Sequence, residues 1–351
     1  MAFQVTIKPS GHVFSVEPGE AILEAALRQG FTLPYGCRNG ACGSCKGKVL
    51  SGSFDYGLYQ AGALSDEEKL EGKALFCQAR PREDLMVEAR EVTAAGEIPV
   101  RTLPCRVQQI AKPAPDVAVL YLKLPANERL QFLAGQYIDI LMKDGKRRSF
   151  SMANPPHDDE HLQLHIRNYA GGNFSRYVFT DLKEKTILRF QGPFGTFFLR
   201  EDSDKPMIFM AGGTGFAPIK AIIEHAFFKE TDRQMVLYWG VRSLVDLYMA
   251  QLAGQWQAEH SNFTFIPVLS ESQPADNWSG RSGFVHQAIL DDFDDLSGYQ
   301  VYACGAPVMV EAGHRTFTKT RGLPDDEFYS DPFTPSVPPA PVASEAGSAP
   351  G

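Results

Sequence analysis

The sequence predicts a multidomain protein of mixed α+β and α/β class: a small α+β unit, an antiparallel β-barrel and a unit built on a parallel sheet. Three observations predict it. The first ninety or so of the 351 residues read as strand, strand, helix and a long loop followed by more strands. The next hundred hold six short strand-like runs at close spacing. The last hundred and thirty alternate apolar strands with helical segments, the pattern of a parallel sheet with helices on its faces.

The first unit, 1–93, opens with FQVTIKP and HVFSVEPG, two alternating strands joined at Gly11. EAILEAALRQG then reads as a helix stopped by Gly30. Residues 94–102 are small, polar and proline-containing and read as a linker. The barrel, 103–201, is expected from CRVQQIA, VAVLYLKL, YIDILM, RRSFSMA, LQLHIRN and ILRFQGPFG. The third unit, 202–334, has strands in MIFMAGG, MVLYWGV, FTFIPVLS and VYACGA, with helices in IKAIIEHAFF, DLYMAQLAGQW, GFVHQAIL and VMVEAGHRTF. The tail, 335–351, has little to bury and is expected to be disordered.

Composition narrows the class. The chain is 44% hydrophobic and 22% charged, ordinary for a globular protein. Its net charge of −8, with no basic stripe, argues against nucleic acid as a partner. No apolar run is long enough to span a membrane, and MAFQVTIKPSG lacks the pattern of a signal peptide. The expected compartment is the cytoplasm, where clustered cysteines point to metal or redox chemistry more than to disulfides.

The densest chemistry lies in YGCRNGACGSCKGKV, residues 35–49. Cys37, Cys42 and Cys45, with Cys77 far downstream, follow the C-x4-C-x2-C…C spacing that holds a [2Fe–2S] cluster. A cluster with bridging sulfides needs backbone close to sulfur, and Gly36, Gly40 and Gly43, with Ala41 and Ser44, leave room for it. Zinc is the alternative, but it favours two C-x2-C pairs and only one is present. Cys105 reads as a core residue.

With strands, helix and ligand spacing in agreement, the first unit resembles a plant-type ferredoxin of the β-grasp fold. Arg148, Ser149, Phe150 and Ser151 resemble the R-x-Y-S run of ferredoxin-reductase-like flavoproteins. The resemblance implies a flavin-binding barrel, with Arg148 at the flavin pyrophosphate, Phe150 on the isoalloxazine and Ser151 at N5. Phe150 stands where tyrosine is usual, keeping the stacking face without the hydroxyl. Gly171, Gly172 and Ser175 are implied at the flavin diphosphate, assisted by Arg167 or His165. The module order implies FAD over FMN.

AGGTGFAP resembles the glycine turn of the nucleotide-binding domains in that superfamily. Gly212, Gly213, Thr214 and Gly215 let backbone approach a pyrophosphate, and Pro218 fits the first turn of the following helix. Cys304, Gly305 and Met309 resemble a C-G-x-x-x-M run bordering the nicotinamide, which implies that Cys304 helps to align hydride transfer. In EFYSDPF, Asp331 falls where relatives carry an acidic residue, near Phe328 and Tyr329. Ser270 and Glu271 replace the basic pair of NADPH users, and Asp246 also resembles the NADH branch. Arg242 weighs the other way, and NADH is the expected coenzyme.

Over about 330 residues the module order is similar to single-chain NADH reductases of multicomponent enzymes, and most similar to the CDP-6-deoxy-Δ3,4-glucoseen reductase branch. The resemblance implies that electrons pass from NADH through FAD and the cluster to a protein acceptor, a dehydrase or an oxygenase component. A redox-sensing module is the alternative of another class. It would turn over NADH slowly with every acceptor.

Overall fold

The computed structural model describes residues 2–92 and 98–334 and the backbone of 346–348. They form two compact units, one of residues 1–99, 194–196 and 334–351, the other of 100–193 and 197–333.

In the first unit, β1 (Phe3–Lys8) and β2 (Val13–Val16) form a hairpin whose turn uses the positive φ of Gly11. Strand alternation sends Val5, Ile7, Phe14 and Val16 inward, all buried. Helix α1 (Ile22–Arg28) buries Ile22, Leu23, Ala25 and Ala26 and ends before Gly30, at φ 85°. Then follow β3 (Lys46–Ser51), β4 (Ser53–Asp55), α2 (Asp66–Leu70), β5 (Lys73–Leu75), β6 (Arg80–Pro81) and β7 (Leu85–Glu88). Ser65 and Glu68 close a capping box at the start of α2. The five-stranded order is β2-β1-β7-β3-β5, with β1 and β7 parallel at its middle.

The second unit opens with β8 (Arg101–Ala114), which begins within the stretch expected as linker, of which residues 93–97 lie outside the described residues. With β9 (Val117–Lys123), β10 (Tyr137–Leu141), β11 (Arg147–Ser151), β12 (Leu162–Arg167) and β13 (Ile187–Phe194) it makes a sheet of order β11-β10-β13-β8-β9-β12. A bridge between Met152 and Leu164 joins the two edges, so the sheet closes into the expected barrel. Leu120, Ile138, Leu164 and Phe190 fill it, and α3 (Asn173–Thr180) adds Phe174 and Val178.

Six parallel strands follow in the order β17-β16-β15-β14-β18-β19. They are β14 (Met207–Gly212), β15 (Met235–Val241), β16 (Phe263–Leu269), β17 (Arg281–Ser282), β18 (Gln300–Gly305) and β19 (Phe328–Pro332). Between them run α4 (Phe216–Phe228), α5 (Ala250–Glu259), α6 (Val285–Asp292) and α7 (Pro307–Thr320). Residues of β14 alternate between two cores: Phe209 and Ala211 pack with Phe216 and Trp239, while Ile208 and Met210 pack with Ile289 and Phe317. Burial on both faces explains the unbroken apolar run of that strand. The chain winds outward from β14 through β15, β16 and β17, then returns to lay β18 on the other side of β14. That reversal makes a switch point at the carboxyl ends of β14 and β18, where ligands of such sheets bind.

Finally, β20 (Ala346–Ser348) pairs with β4 in a three-stranded sheet of order β20-β4-β6. Of the tail expected to be disordered, residues 335–345 and 349–351 lie outside the described residues.

Candidate functional sites of the two units

The cysteine loop runs from α1 to β3, and Cys77 sits in the turn after β5. The four thiols form two pairs, Cys37 with Cys42 and Cys45 with Cys77, each sharing a hydrogen bond. The bond from Cys42 outweighs burial, which acts upward, and brings the Cys37 thiol down to about 7, while Cys42 is pushed well up by the same bond and by burial. Among the described residues no three His, Cys, Asp or Glu side chains converge to hold one metal ion. Two plus two thiols suit a cluster of two irons and not a single tetrahedral zinc.

The backbone closes on the sulfurs. The Cys37 N–H donates to Cys42 Sγ at 3.3 Å, and the Ala41 N–H to Cys37 Sγ at 3.4 Å. Gly40 has φ 76°, and a Cβ there would lie 2.7 Å from the Leu58 carbonyl oxygen. At Gly36 a Cβ would sit 3.2 Å from Cys42 Sγ. The loop therefore fits the cluster that its spacing predicts.

In the second unit, Ser151 at the end of β11 donates from Oγ to Asp331 Oδ2 at 2.9 Å. Asp331 lies opposite Cys304 in the β18–β19 register, and the Cys304 thiol donates to the Asp331 carbonyl at 3.1 Å. Three residues that the sequence scatters over 180 positions thus meet at one point. Burial, reinforced by the Asp331 charge, pushes the Cys304 thiol well above its ordinary range. A fully buried neutral thiol is not a nucleophile.

The glycine turn stands beside them. Gly213, at φ 53°, begins the tight turn that leads into α4, and Pro218 lies in that helix's first turn. A Cβ on Gly215 would fall 2.1 Å from the Cys304 carbonyl oxygen, and one on Gly305 would fall 2.9 Å from Gly212 Cα. The ends of β14 and β18 can approach only because these positions lack side chains. Trp239, stacked on Phe216 at 3.9 Å, donates from Nε1 to the Gly213 carbonyl and fixes the turn from below.

On the barrel, Phe150 packs on Phe174 with ring centroids 5.3 Å apart. Ser149 donates to Asp139 at 2.6 Å, and Arg148 lies at the surface with one N–H on the Arg147 carbonyl. Gly171 takes φ 82° and Gly172 caps α3, whose Ser175 hydroxyl donates back to the Gly172 carbonyl at 3.2 Å. His165 is buried, with Nδ1 2.8 Å from the Tyr248 hydroxyl and Nε2 without a partner. Burial first and Lys220 second hold it well below the ordinary histidine range, so it stays neutral. A buried polar atom with no protein partner suits a bound cofactor's polar edge.

Arg167 donates from Nε to Asp116 at 2.6 Å and from Nη2 to Asp246 at 2.7 Å, while its Nη1 lies by Gly213 of the glycine turn. Asp246 also accepts from the Ser243 N–H and hydroxyl. Sequence reading missed Asp116, Trp239 and Tyr248 because each acts through a neighbour brought in by folding. Cys105 is buried as expected, and burial pushes its thiol up to about 12. The Glu271 N–H donates to the Arg242 carbonyl, so both residues stand together past the ends of β16 and β15.

Comparison with known proteins matches each module. Residues 5–82 match the 2Fe-2S iron-sulfur cluster binding domain, 104–199 the oxidoreductase FAD-binding domain and 209–315 the oxidoreductase NAD-binding domain. The chain is 39% identical over 336 residues to CDP-6-deoxy-L-threo-D-glycero-4-hexulose-3-dehydrase reductase of Yersinia pseudotuberculosis, covering 96% of this chain and 100% of that one. It is 35% identical over 340 residues to the reductase component of phenol 2-monooxygenase from Pseudomonas sp., with 95% of each covered. A crystal structure of an Amycolatopsis cytochrome P450 reductase superposes with a TM-score of 0.75 at 36% identity, covering 95% of this chain and 100% of that one. No helix among the described residues is long and apolar enough to cross a membrane.

Proposed function

Because the chain belongs to the family of reductases that join a 2Fe-2S domain to FAD-binding and NAD-binding domains, we propose that it oxidises NADH and supplies single electrons to a separate protein acceptor. The observation that carries this reading is the meeting of Ser151, Asp331 and Cys304 beside the glycine turn. When bound, FAD takes a hydride from NADH and the cluster passes electrons on one at a time.

The chain's own residues position more than they react. Asp331 accepts the hydrogen bond from the Ser151 hydroxyl, which fixes the hydroxyl's orientation, and the Ser151 oxygen would then be able to accept from the N5–H of a reduced flavin. The neutral Cys304 thiol ties the end of β18 to the Asp331 backbone and so fixes the strand end beside which the nicotinamide would bind. Gly212, Gly213, Thr214 and Gly215 offer backbone to the coenzyme pyrophosphate, with Pro218 setting the start of α4. Phe150 offers its ring to the flavin, Arg148 its charge, and Ser149 holds the strand through Asp139. Gly171, Gly172 and Ser175 present the start of α3, and His165 offers Nε2. Cys37, Cys42, Cys45 and Cys77 would hold the cluster.

Glu271 supports NADH over NADPH, since a carboxylate there would repel a 2′-phosphate. Comparing kcat/KM for the two coenzymes tests it, and a preference for NADPH would remove this part of the reading. The acceptor we favour is a sugar-nucleotide dehydrase, as in the Yersinia relative's name, and the compartment is the cytoplasm. An oxygenase component is the second reading, favoured by nearly equal identity to the phenol 2-monooxygenase reductase component. NADH-driven reduction of a purified dehydrase and of a purified oxygenase component distinguishes them.

A further inference from the structure

Three residues of the chain make a short excursion. Residues 193 and 197 belong to the second unit, yet Phe194, Gly195 and Thr196 belong to the first. There they meet the start of the cysteine loop. The Tyr35 N–H donates to Thr196 Oγ1 at 3.0 Å, and the Thr196 hydroxyl donates to the Tyr35 carbonyl at 3.2 Å. The Thr196 N–H donates to the same carbonyl at 3.3 Å. Both residues are buried, with 7% exposure each, so water cannot replace these bonds.

The far side of the first ligand is held as well. Arg38 takes the left-handed backbone conformation, φ 59°, and lays its guanidinium over the Phe194 ring at 4.0 Å. Tyr35 and Arg38 therefore bracket Gly36 and Cys37, and both rest on residues 194–196. Between them Gly36 lies close to the sulfur, where an added Cβ would come 3.2 Å from Cys42 Sγ. Only this residue separates Tyr35 from Cys37, so a shift of Tyr35 moves the segment that carries the first ligand.

We propose that Thr196 is a positioning residue for the [2Fe–2S] cluster. Acting through Tyr35, it fixes Cys37 and so governs how fast the cluster takes an electron. The inference rests on the NADH, FAD and cluster reading above. In the step concerned, the reduced flavin loses one electron and the oxidised cluster gains it, and each hydride from NADH supplies the two electrons that two such steps consume.

The test compares Thr196→Val with Thr196→Ser in the full-length holoprotein. Val keeps the shape and removes the hydroxyl, while Ser keeps the hydroxyl. The first readout is hydrogen exchange at the Tyr35 amide, which rises about tenfold or more in T196V and not in T196S. The second is anaerobic mixing with NADH: cluster reduction slows about tenfold in T196V, flavin bleaching keeps its wild-type rate, and T196S matches wild type in both phases. Unchanged exchange in T196V overturns the proposal, as does raised exchange with wild-type cluster reduction. A T196V protein that loses its cluster supports the proposal if T196S retains it, and overturns it if T196S loses it too. Equal slowing of both phases also overturns it while leaving the NADH-to-flavin reading in place. Failure of that reading would instead appear as wild-type flavin that NADH does not bleach.

Discussion

Replacing Ser151 with alanine removes the hydroxyl that donates to Asp331 Oδ2 at 2.9 Å in a partly buried setting. A hydrogen bond to a charged group contributes about 1.5–3 kcal/mol net. If about half of that bears on the orientation of the reacting groups, the barrier rises by about 1.1 kcal/mol, which slows hydride transfer about sixfold. Asp331→Ala removes the same bond from the other side but spares the Cys304 contact, because the thiol donates to the Asp331 backbone. The two single variants and the double variant are therefore expected to slow alike, with a coupling of about 1 kcal/mol. The assay is stopped-flow bleaching of the flavin by NADH without oxygen, at matched flavin content. Effects that add to within about 0.5 kcal/mol would show that Ser151 and Asp331 act independently and would refute the reasoning.

Other perturbations reach other parts of the account. Cys42→Ser is expected to abolish electron transfer to a protein acceptor while flavin bleaching by NADH survives; loss of both in a folded protein would contradict the division of labour. Gly215→Ala places a Cβ 2.1 Å from the Cys304 carbonyl oxygen, a backbone atom that cannot rotate away. A loss of about 3 kcal/mol is expected in a denaturant melt, and an unchanged midpoint would contradict the close approach of β14 and β18. Glu271→Arg is expected to raise the NADPH to NADH ratio of kcat/KM by about tenfold, roughly the contribution of one charge-assisted hydrogen bond. For Asp246, burial pushes the carboxyl up, but bonds from Ser243 and the charges of Arg167 and Arg242 win and hold it below its ordinary value of 3.8. Its contribution to stability is thus present above that value and lost as pH falls through the lower folded value. Urea melts of wild type and Asp246→Asn should differ at pH 7 and converge in acid, and a gap independent of pH would show that the charge is not what matters.

Legibility in the sequence followed the range of the interactions. The barrel strands and the apolar strands β14, β15, β16 and β18 are local patterns, and YGCRNGACGSC carries its ligand spacing in eleven residues. Glycines 212, 213 and 215 were readable because a tight turn into a helix needs them in sequence. By contrast, β17 and β19 are short, with no alternation to announce them, and only the register with β16 and β18 makes them strands. Arg167 was legible as a cation near a cofactor, but its partners Asp116 and Asp246 lie 51 and 79 residues away. Tyr248 and Trp239 carry no local signal, and only folding puts their polar atoms on His165 and Gly213. Nothing in GPFGTFFL signals that Thr196 bonds to Tyr35.

The central claim, that electrons enter from NADH at the flavin and leave through the cluster, is tested most directly by following both signals after anaerobic mixing with NADH, with and without flavin in the protein. The account predicts that flavin bleaching precedes cluster reduction and that flavin-free protein, its cluster intact, stays oxidised. A cluster that NADH reduces without flavin would contradict it.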